Sequence, residues 1–496
     1  MISPLLILGC VGLYFGFILI ISFFTSRNSS AYSYFLGNKV SPWYVVAFGM
    51  LADSLSGVTF ISVPGAVGTA KFGYMQLVFG YFFGYIIISQ VLLPLYYRRQ
   101  FISIYSYLGQ RFGYFAEKTG SILFILSRLL GAGARLYLTA SVIQLFFFDP
   151  FHIPFWFNVS VTILLIILYT TRGGIKTLVW TDTFQSLFLL LGVLFSLMVI
   201  GSAMQYNLAG MVTAVSNSDY AHIFFWDWRE KSFFFKQFFG GVFIAVAMTG
   251  LDQNMMQKNL SCKSLAEAQK NISWFSVVMV ITNVFFLCLG ALLWMYKDRF
   301  QIDLPLNIAG KPDTDKLFPI LALHHLGIWA GLSFILGLTA ATFSSADSVL
   351  TTLTTTFYVD ILQLDKDITQ SESSKRKKRT LTHIAFAFLL LSVILLFKAI
   401  NSSAVIDTVL RVAGYTYGPL LGLFFFGILT RRSTIDKYIP FICLLSPLLI
   451  YVLDINSQNW LGGYKFSSEL LIVNGLLTFT GLWLVSSKKL DKSTLS

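Results

Sequence analysis

Cysteine, histidine and charge are all scarce in this sequence, and each scarcity removes a class of function. Four isolated cysteines (Cys10, Cys262, Cys288 and Cys443) and five histidines show no ligand spacing, so no Cys/His metal site is expected. No Walker loop, no H-E-x-x-H and no G-x-S-x-G occurs, which removes the common ATPase, metalloprotease and hydrolase chemistries. The chain therefore reads as a non-enzyme without an organic cofactor. Charged residues make up 12% of it against 56% hydrophobic ones, which excludes a soluble globular protein and points to a polytopic membrane bundle. Long linkers are lacking too: the largest stretches between apolar runs, about 205–235 and 297–326, are the size of caps or gates.

What fills the sequence is apolar runs. Thirteen reach the roughly 17–25 residues of a membrane span, near 3–24, 41–70, 73–97, 119–147, 152–170, 179–204, 236–257, 273–296, 327–362, 381–399, 403–429, 436–454 and 466–486. The expected fold class is all-α with about 13 transmembrane helices. The first run is too long for a signal-peptide core and lacks a basic n-region and an A-x-A site, so it is expected to stay as a span.

Alternate loops collect basic residues, among them Arg98, Arg99, Arg111 and Lys118; Lys258, Lys263 and Lys270; Lys375–Arg379; and Arg431, Arg432 and Lys437. The intervening loops hold Asp219, Asp227, Glu230, Asp298 and Asp303. The positive-inside rule then predicts a plasma (inner) membrane protein with its N-terminus outside and its C-terminus cytoplasmic. The net charge of +13 reports that topology, not nucleic-acid binding, and Lys375–Arg379 is expected against the anionic lipid of the inner leaflet.

The polar residues worth attention lie inside the spans. In GLTAATFSSADSVLTTLTTTFYVD (Gly337–Asp360), a turn of 100° per residue puts Ala341, Ser344, Ser345, Asp347, Ser348, Thr351, Thr352 and Thr355 on one arc. Phe343, Ala346, Val349, Leu350 and Leu353 fill the other. Burying unpaired hydroxyls and a carboxylate in hydrocarbon costs several kcal/mol, so the polar arc must face the bundle interior. The blander role of Ser and Thr as helix-packing glue accounts poorly for Asp347.

Three spans carry the marks of discontinuous helices. The second has Asp53, Ser54, Ser56, Gly57 and Thr59 at its middle and Pro64 two turns on; a break there frees carbonyls for an ion. The seventh ends in MTGLDQNMMQKNL, and the eleventh contains RVAGYTYGP, where Gly414, Gly418 and Pro419 should loosen the helix. From the second span onward the helices form two sets of five. The expected domains are 1–40 (an extra helix and inner loop), 41–204 (first repeat), 205–235 (outer loop), 236–429 (second, inverted repeat) and 430–496 (two C-terminal helices and a tail).

Asp182, in LVWTDTFQSLF, pairs as a cation ligand with Ser344, Asp347 and Ser348, or else caps its helix. Oxygen ligands of this kind suit Na⁺. Arg135 either makes an ion pair with Asp53, Asp182 or Asp347, or meets a substrate carboxylate with its planar fork. Ser56, Thr59, Gln76, Tyr415, Thr416 and Tyr417 complete the candidate solute contacts.

From about residue 35 to residue 430 the chain resembles the bacterial solute:sodium symporters, relatives of the sodium–galactose, sodium–proline and sodium–sialic acid carriers with the LeuT-type fold. The likeness rests on GGIKTLVWTDTFQ (Gly173–Gln185), AATFSSADSVLTTL (Ala340–Leu353), SLSGVTFISVPG (Ser54–Gly65), TGLDQNMMQKNL (Thr249–Leu260) and GYTYGPLLGL (Gly414–Leu423). The resemblance implies a primary Na⁺ site on Ala52, Leu55, Ala341, Ser344 and Ser345. It also implies a second Na⁺ site in some members, here on Asp182, Ser344, Asp347 and Ser348, with Asp347 departing from the usual Ser or Thr. Arg135 is similar in position to an Arg that meets the substrate carboxylate in the sialic acid carriers, and Gln76 is the nearest match to the amide and acidic residues of the sugar carriers.

The expectation is a sodium-coupled symporter importing a small polar solute, a sugar, sialic acid or other organic acid, by alternating access. Its partners would be sodium, the solute and membrane lipid, and its working unit a monomer. A proton-coupled carrier of the same fold and a transporter-like sensor are the alternatives.

Overall fold

A computed structural model describes residues 4–26, 31–307, 310–365, 367, 369–400 and 405–487. The helices that build the site and its frame are α1 (Pro4–Thr25), α2 (Trp43–Ser54), α3 (Gly57–Ala70), α4 (Tyr74–Ile87), α5 (Tyr114–Ile143), α6 (Phe155–Ala203), α7 (Phe234–Ala245), α8 (Gln253–Leu260), α9 (Leu265–Arg299), α10 (Gly327–Thr356), α11 (Glu372–Ile400), α12 (Val405–Leu429), α13 (Ile439–Trp460) and α14 (Leu470–Leu484). Each of the thirteen apolar runs falls on one of these helices, on part of one, or on a broken pair. Seven helices in the described residues are long and apolar enough to cross a membrane, eight if the bent pair α7/α8 is one span; four further apolar helices are shorter.

Two of the expected breaks are present. α2 stops at Ser54, Leu55 leaves the helical region (φ −91°, ψ 62°), Ser56 is extended, and α3 begins at Gly57. The last carbonyls of α2 therefore lose their helical partners. α7 runs through a π-turn to Gly250, and α8 leaves it at 63° after Leu251 and Asp252. Asp252 caps α8, its side chain accepting from the Met255 N–H at 3.1 Å. The fifth and sixth runs both fall on α6, separated by Gly174 at φ +57°, where a Cβ would lie 2.4 Å from the Tyr34 carbonyl.

The third expected break does not occur: α12 is continuous through Pro419. Proline lacks the N–H that would bond the carbonyl four residues back, here that of Tyr415. The Asn474 amide of α14 supplies the missing donor, reaching the Tyr415 carbonyl at 3.0 Å and the Gly414 carbonyl at 2.9 Å.

α10 is the central helix. Every residue from Gly337 to Thr356 is buried, so the apolar arc faces protein as well and the segment has no lipid side. It crosses α6 where Gly192 and Gly337 meet; a Cβ on Gly192 would lie 3.1 Å from the Gly337 Cα. Small residues at a crossing let two backbones approach closely, and this one brings Asp182 of α6 against the hydroxyls of α10.

Candidate ion and solute site

Asp182 is the meeting point. It is fully buried, and Ser344 and Ser348 of α10, one turn apart, donate to its Oδ1 and Oδ2 at 3.2 and 3.3 Å. Asp347 is turned elsewhere: its Oδ2 accepts from the Tyr169 hydroxyl at 2.8 Å, and its Oδ1 is buried without a hydrogen-bond partner. Three of the four residues assigned to a second ion are thus joined directly, and Asp347 lies beside them.

The residues assigned to the first ion are also buried, on the α2 break and on α10. Ala52 and Leu55 stand at the end of α2, where carbonyls are freed. Ser345 bonds back to the Ala341 carbonyl at 3.1 Å, and the Ala52 N–H donates to Ser186 of α6 at 2.9 Å. Ser344 is common to both sets.

Lys258 corrects the sequence-based topology. Its position after an apolar run reads as a cytoplasmic loop cation, yet its side chain is only 1% exposed and lies inside the bundle. The cause is the bend at Leu251 and Asp252, which turns α8 inward. The ammonium lies 2.6 Å from Asp182 Oδ2 and 3.0 Å from Asp53 Oδ2. Asn254 donates to the same Asp53 oxygen at 2.6 Å, and Thr352 of α10 donates to Asn254 at 3.0 Å. Removing one partner from such a buried network costs about 3–5 kcal/mol.

The two arginines of α5 are used differently. Arg128 is paired with Asp252, whose Oδ2 also accepts from Tyr417 at 2.6 Å. Arg135, two turns on, makes no ion pair or hydrogen bond through its guanidinium within the described residues; Lys258 engages two of the three carboxylates proposed for it, and Tyr169 the third. Both arginines line a cavity of about 100 Å³ beside the α2 break, together with Asp53, Ser56 and Thr59. Asn283 of α9 is on the same wall with its carbonyl oxygen unpartnered.

The remaining candidates lie off this cavity. Gln76 is tied to the outer loop, donating to the Ser232 carbonyl at 2.9 Å and accepting from the Phe225 N–H at 3.2 Å. Tyr415 points to α13 and donates to Asp454 at 2.5 Å, and Thr416 is not on the cavity wall. Lys258, read from the sequence as a loop cation, and Asp252, which that reading gave no role, are the residues of the site that the sequence did not yield. The density of polar residues on α8, where Gln253, Asn254, Gln257 and Lys258 follow Asp252, is the signal that was there to use.

Residues 34–436 match the model of the sodium:solute symporter family. The sodium/sialic acid symporter NanT of Aliivibrio fischeri is 25% identical over 467 residues, 92% of this chain and 89% of its own length. The sodium-coupled monocarboxylate transporter 1 of Xenopus laevis is 27% identical over 436 residues, 86% of this chain and 66% of its own. A solved structure of a Na⁺-coupled sialic acid symporter, substrate-bound and outward-open, superimposes with a TM-score of 0.82 at 20% identity, covering 97% of this chain and 99% of that one.

Proposed function

The chain belongs to the sodium:solute symporter family, and from that premise we propose where its sodium and its solute bind. It is a multi-pass membrane symporter with the LeuT-type fold, coupling Na⁺ to the movement of a small organic solute. The proposed transported Na⁺ sits at the α2 break, on the carbonyls of Ala52, Leu55 and Ala341 and the hydroxyls of Ser344 and Ser345. Carbonyls released from a helix end and neutral hydroxyls are hard donors that replace a hydration shell without fixing the ion by charge. The site joins α2 to α10, so an occupying ion would stabilise one arrangement of the two helices.

The proposed solute is a small organic anion held through its carboxylate by Arg135. The observation that carries this reading is the guanidinium itself: it lines the cavity and has no ion pair or hydrogen bond within the described residues, while Arg128 on the same helix is paired. A fork of N–H donors matches a carboxylate in two parallel bonds. The relatives named above take sialic acid and monocarboxylates, and a carboxylate is the feature those solutes share. Ser56, Thr59 and Asn283 offer polar contacts for the rest of the molecule. A cavity of about 100 Å³ suits a compact solute, well below the roughly 300–1,000 Å³ of pockets for drug-sized ligands.

The two inverted repeats are assigned to 41–204 and 236–429, each opening on a broken helix, with 1–40 and 430–496 outside them. A rocking of one bundle against the other about the central site would alternate its access. The N-terminus is assigned to the outside and the C-terminus to the cytoplasm, on the loop distribution of Lys and Arg, with a monomer as the working unit.

The test is uptake of labelled solutes into proteoliposomes under an inward Na⁺ gradient, with a short monocarboxylate, sialic acid, galactose and proline compared. Uptake of a carboxylate-bearing solute, lost when choline replaces Na⁺, is expected. Uptake of galactose alone would overturn the anion assignment. Ser345→Ala should raise the Na⁺ concentration for half-maximal uptake about tenfold or more, and an unchanged Na⁺ dependence would remove the ion from this site.

A further inference from the structure

The oxygen set around Asp182 is built for a cation and already contains one. Asp182, Ser344 and Ser348 are fully buried, and their hydroxyl–carboxylate contacts of 3.2 and 3.3 Å gather hard oxygen donors at one point. The Asp182 oxygen that Ser348 reaches is also the one 2.6 Å from the Lys258 ammonium. Na⁺ and a primary ammonium carry the same charge and seek the same lone pairs. A Na⁺ bound to that oxygen would lie next to the ammonium, and two like charges that close in a buried site repel strongly.

The ammonium is not there by the chance reach of a flexible stem. Asn254, one turn earlier on α8, holds the same Asp53 oxygen that Lys258 contacts, at 2.6 Å, and Thr352 fixes Asn254 from α10 at 3.0 Å. Asn254, Gln257 and Asn259 are all buried, so α8 is enclosed along its length and its lysine has no water-facing side. The nitrogen stands between two carboxylates from two different helices, Asp53 of α2 and Asp182 of α6, and joins them as a bound metal ion would.

We propose that Lys258 is the resident cation of the Asp182 pocket: its tethered ammonium takes the seat of a second sodium, and the protein carries one Na⁺ per cycle, at the α2 break. The inference rests on the primary-site reading given above and adds the coupling stoichiometry to it. It also gives α8 a task. Any movement of this short bent helix moves the positive charge relative to Asp53, which lines the solute cavity, and Asp182, which faces the α10 hydroxyls.

The experiment is equilibrium binding of ²²Na⁺ alone to the purified full-length protein in detergent. Wild type should bind one Na⁺ per chain without cooperativity. Lys258→Gln should bind two, Lys258→Gln with Asp182→Asn should return to one, and Lys258→Arg should stay at one. Lys258→Gln with Asp53→Asn removes one charge of each sign; it should also bind two, and it keeps the test open if the single variant does not fold. A second, Asp182-dependent ion on the wild type would overturn the proposal, as would a folded Lys258→Gln protein or charge-balanced double variant that binds no more ions than the wild type. Ser345→Ala separates the two readings. If it loses its ion while Lys258→Gln still holds only one, the tethered cation alone is overturned. A wild type with no bound ion that gains one in Lys258→Gln overturns the primary site and supports the tethered cation.

Discussion

The Tyr169 hydroxyl donates to Asp347 at 2.8 Å, while the other oxygen of that carboxylate is buried with no partner. A buried side-chain hydrogen bond contributes about 0.5–1.5 kcal/mol, and here it is the one such bond Asp347 receives within the described residues. Tyr169→Phe should therefore lower the thermal unfolding temperature in detergent. In an Asp347→Leu background the same substitution should cost much less, because the acceptor of the bond is already gone. Equal losses in both backgrounds would mean that Tyr169 acts through packing and not through this carboxylate.

Arg128 and Arg135 lie on one face of α5 and should fail in different ways. Arg128→Ala leaves Asp252 buried beside Tyr417 without its cation, which costs about 3–5 kcal/mol and should appear as loss of folded protein. Arg135→Lys leaves no broken pair behind, so the protein should fold normally. It would lose the two-pronged grip on a carboxylate, about 2–3 kcal/mol, which is roughly a 30- to 150-fold rise in KM for uptake. An unchanged KM in a folded Arg135→Lys protein would refute substrate contact.

The central helix and the first two breaks were legible in the sequence because each has a local cause. The hydroxyl arc of α10 follows from its 100° periodicity, and the α2 break from polar residues and Gly57 in mid-span. Lys258 was not legible, because a lysine after an apolar run has the same local pattern whether the chain exits to water or bends back into the bundle. Only the 63° turn between α7 and α8 decides between those, and that turn is set by the packing of α8 against α2, α6 and α10. The open choice for Arg135 had a similar origin: which carboxylates are free depends on Lys258 and Tyr169, both distant in sequence. α12 misled in the opposite direction, because its Gly and Pro residues are answered by one amide sixty residues later.

That amide makes a separate prediction. Asn474 satisfies the carbonyls of Gly414 and Tyr415, and its own Oδ1 accepts from Ser446 of α13 at 2.6 Å. Asn474→Leu keeps the approximate volume and removes the amide donors, leaving the Tyr415 carbonyl, which Pro419 cannot serve, unsatisfied at a cost of about 1–3 kcal/mol. The unfolding temperature should fall and α12 should become more protease-sensitive near Pro419. Asn474→Gln, with the amide displaced by one methylene, should lie between the two. No difference between Leu and wild type would show that the helix tolerates Pro419 unaided.

If one Na⁺ accompanies one carboxylate anion, the two charges cancel and the wild-type cycle moves no net charge. An imposed membrane potential should then leave the steady-state accumulation of a monocarboxylate unchanged at fixed Na⁺ gradient. Lys258→Gln, with a second ion bound at Asp182, should carry one net positive charge inward per solute. Each elementary charge crossing 100 mV is worth about 2.3 kcal/mol, so an inside-negative potential of that size should raise accumulation by the variant roughly 50-fold. Valinomycin-clamped proteoliposomes with set K⁺ gradients measure both. A wild type already driven by voltage would require a second transported cation, and would place Lys258 outside the ion-coupling machinery.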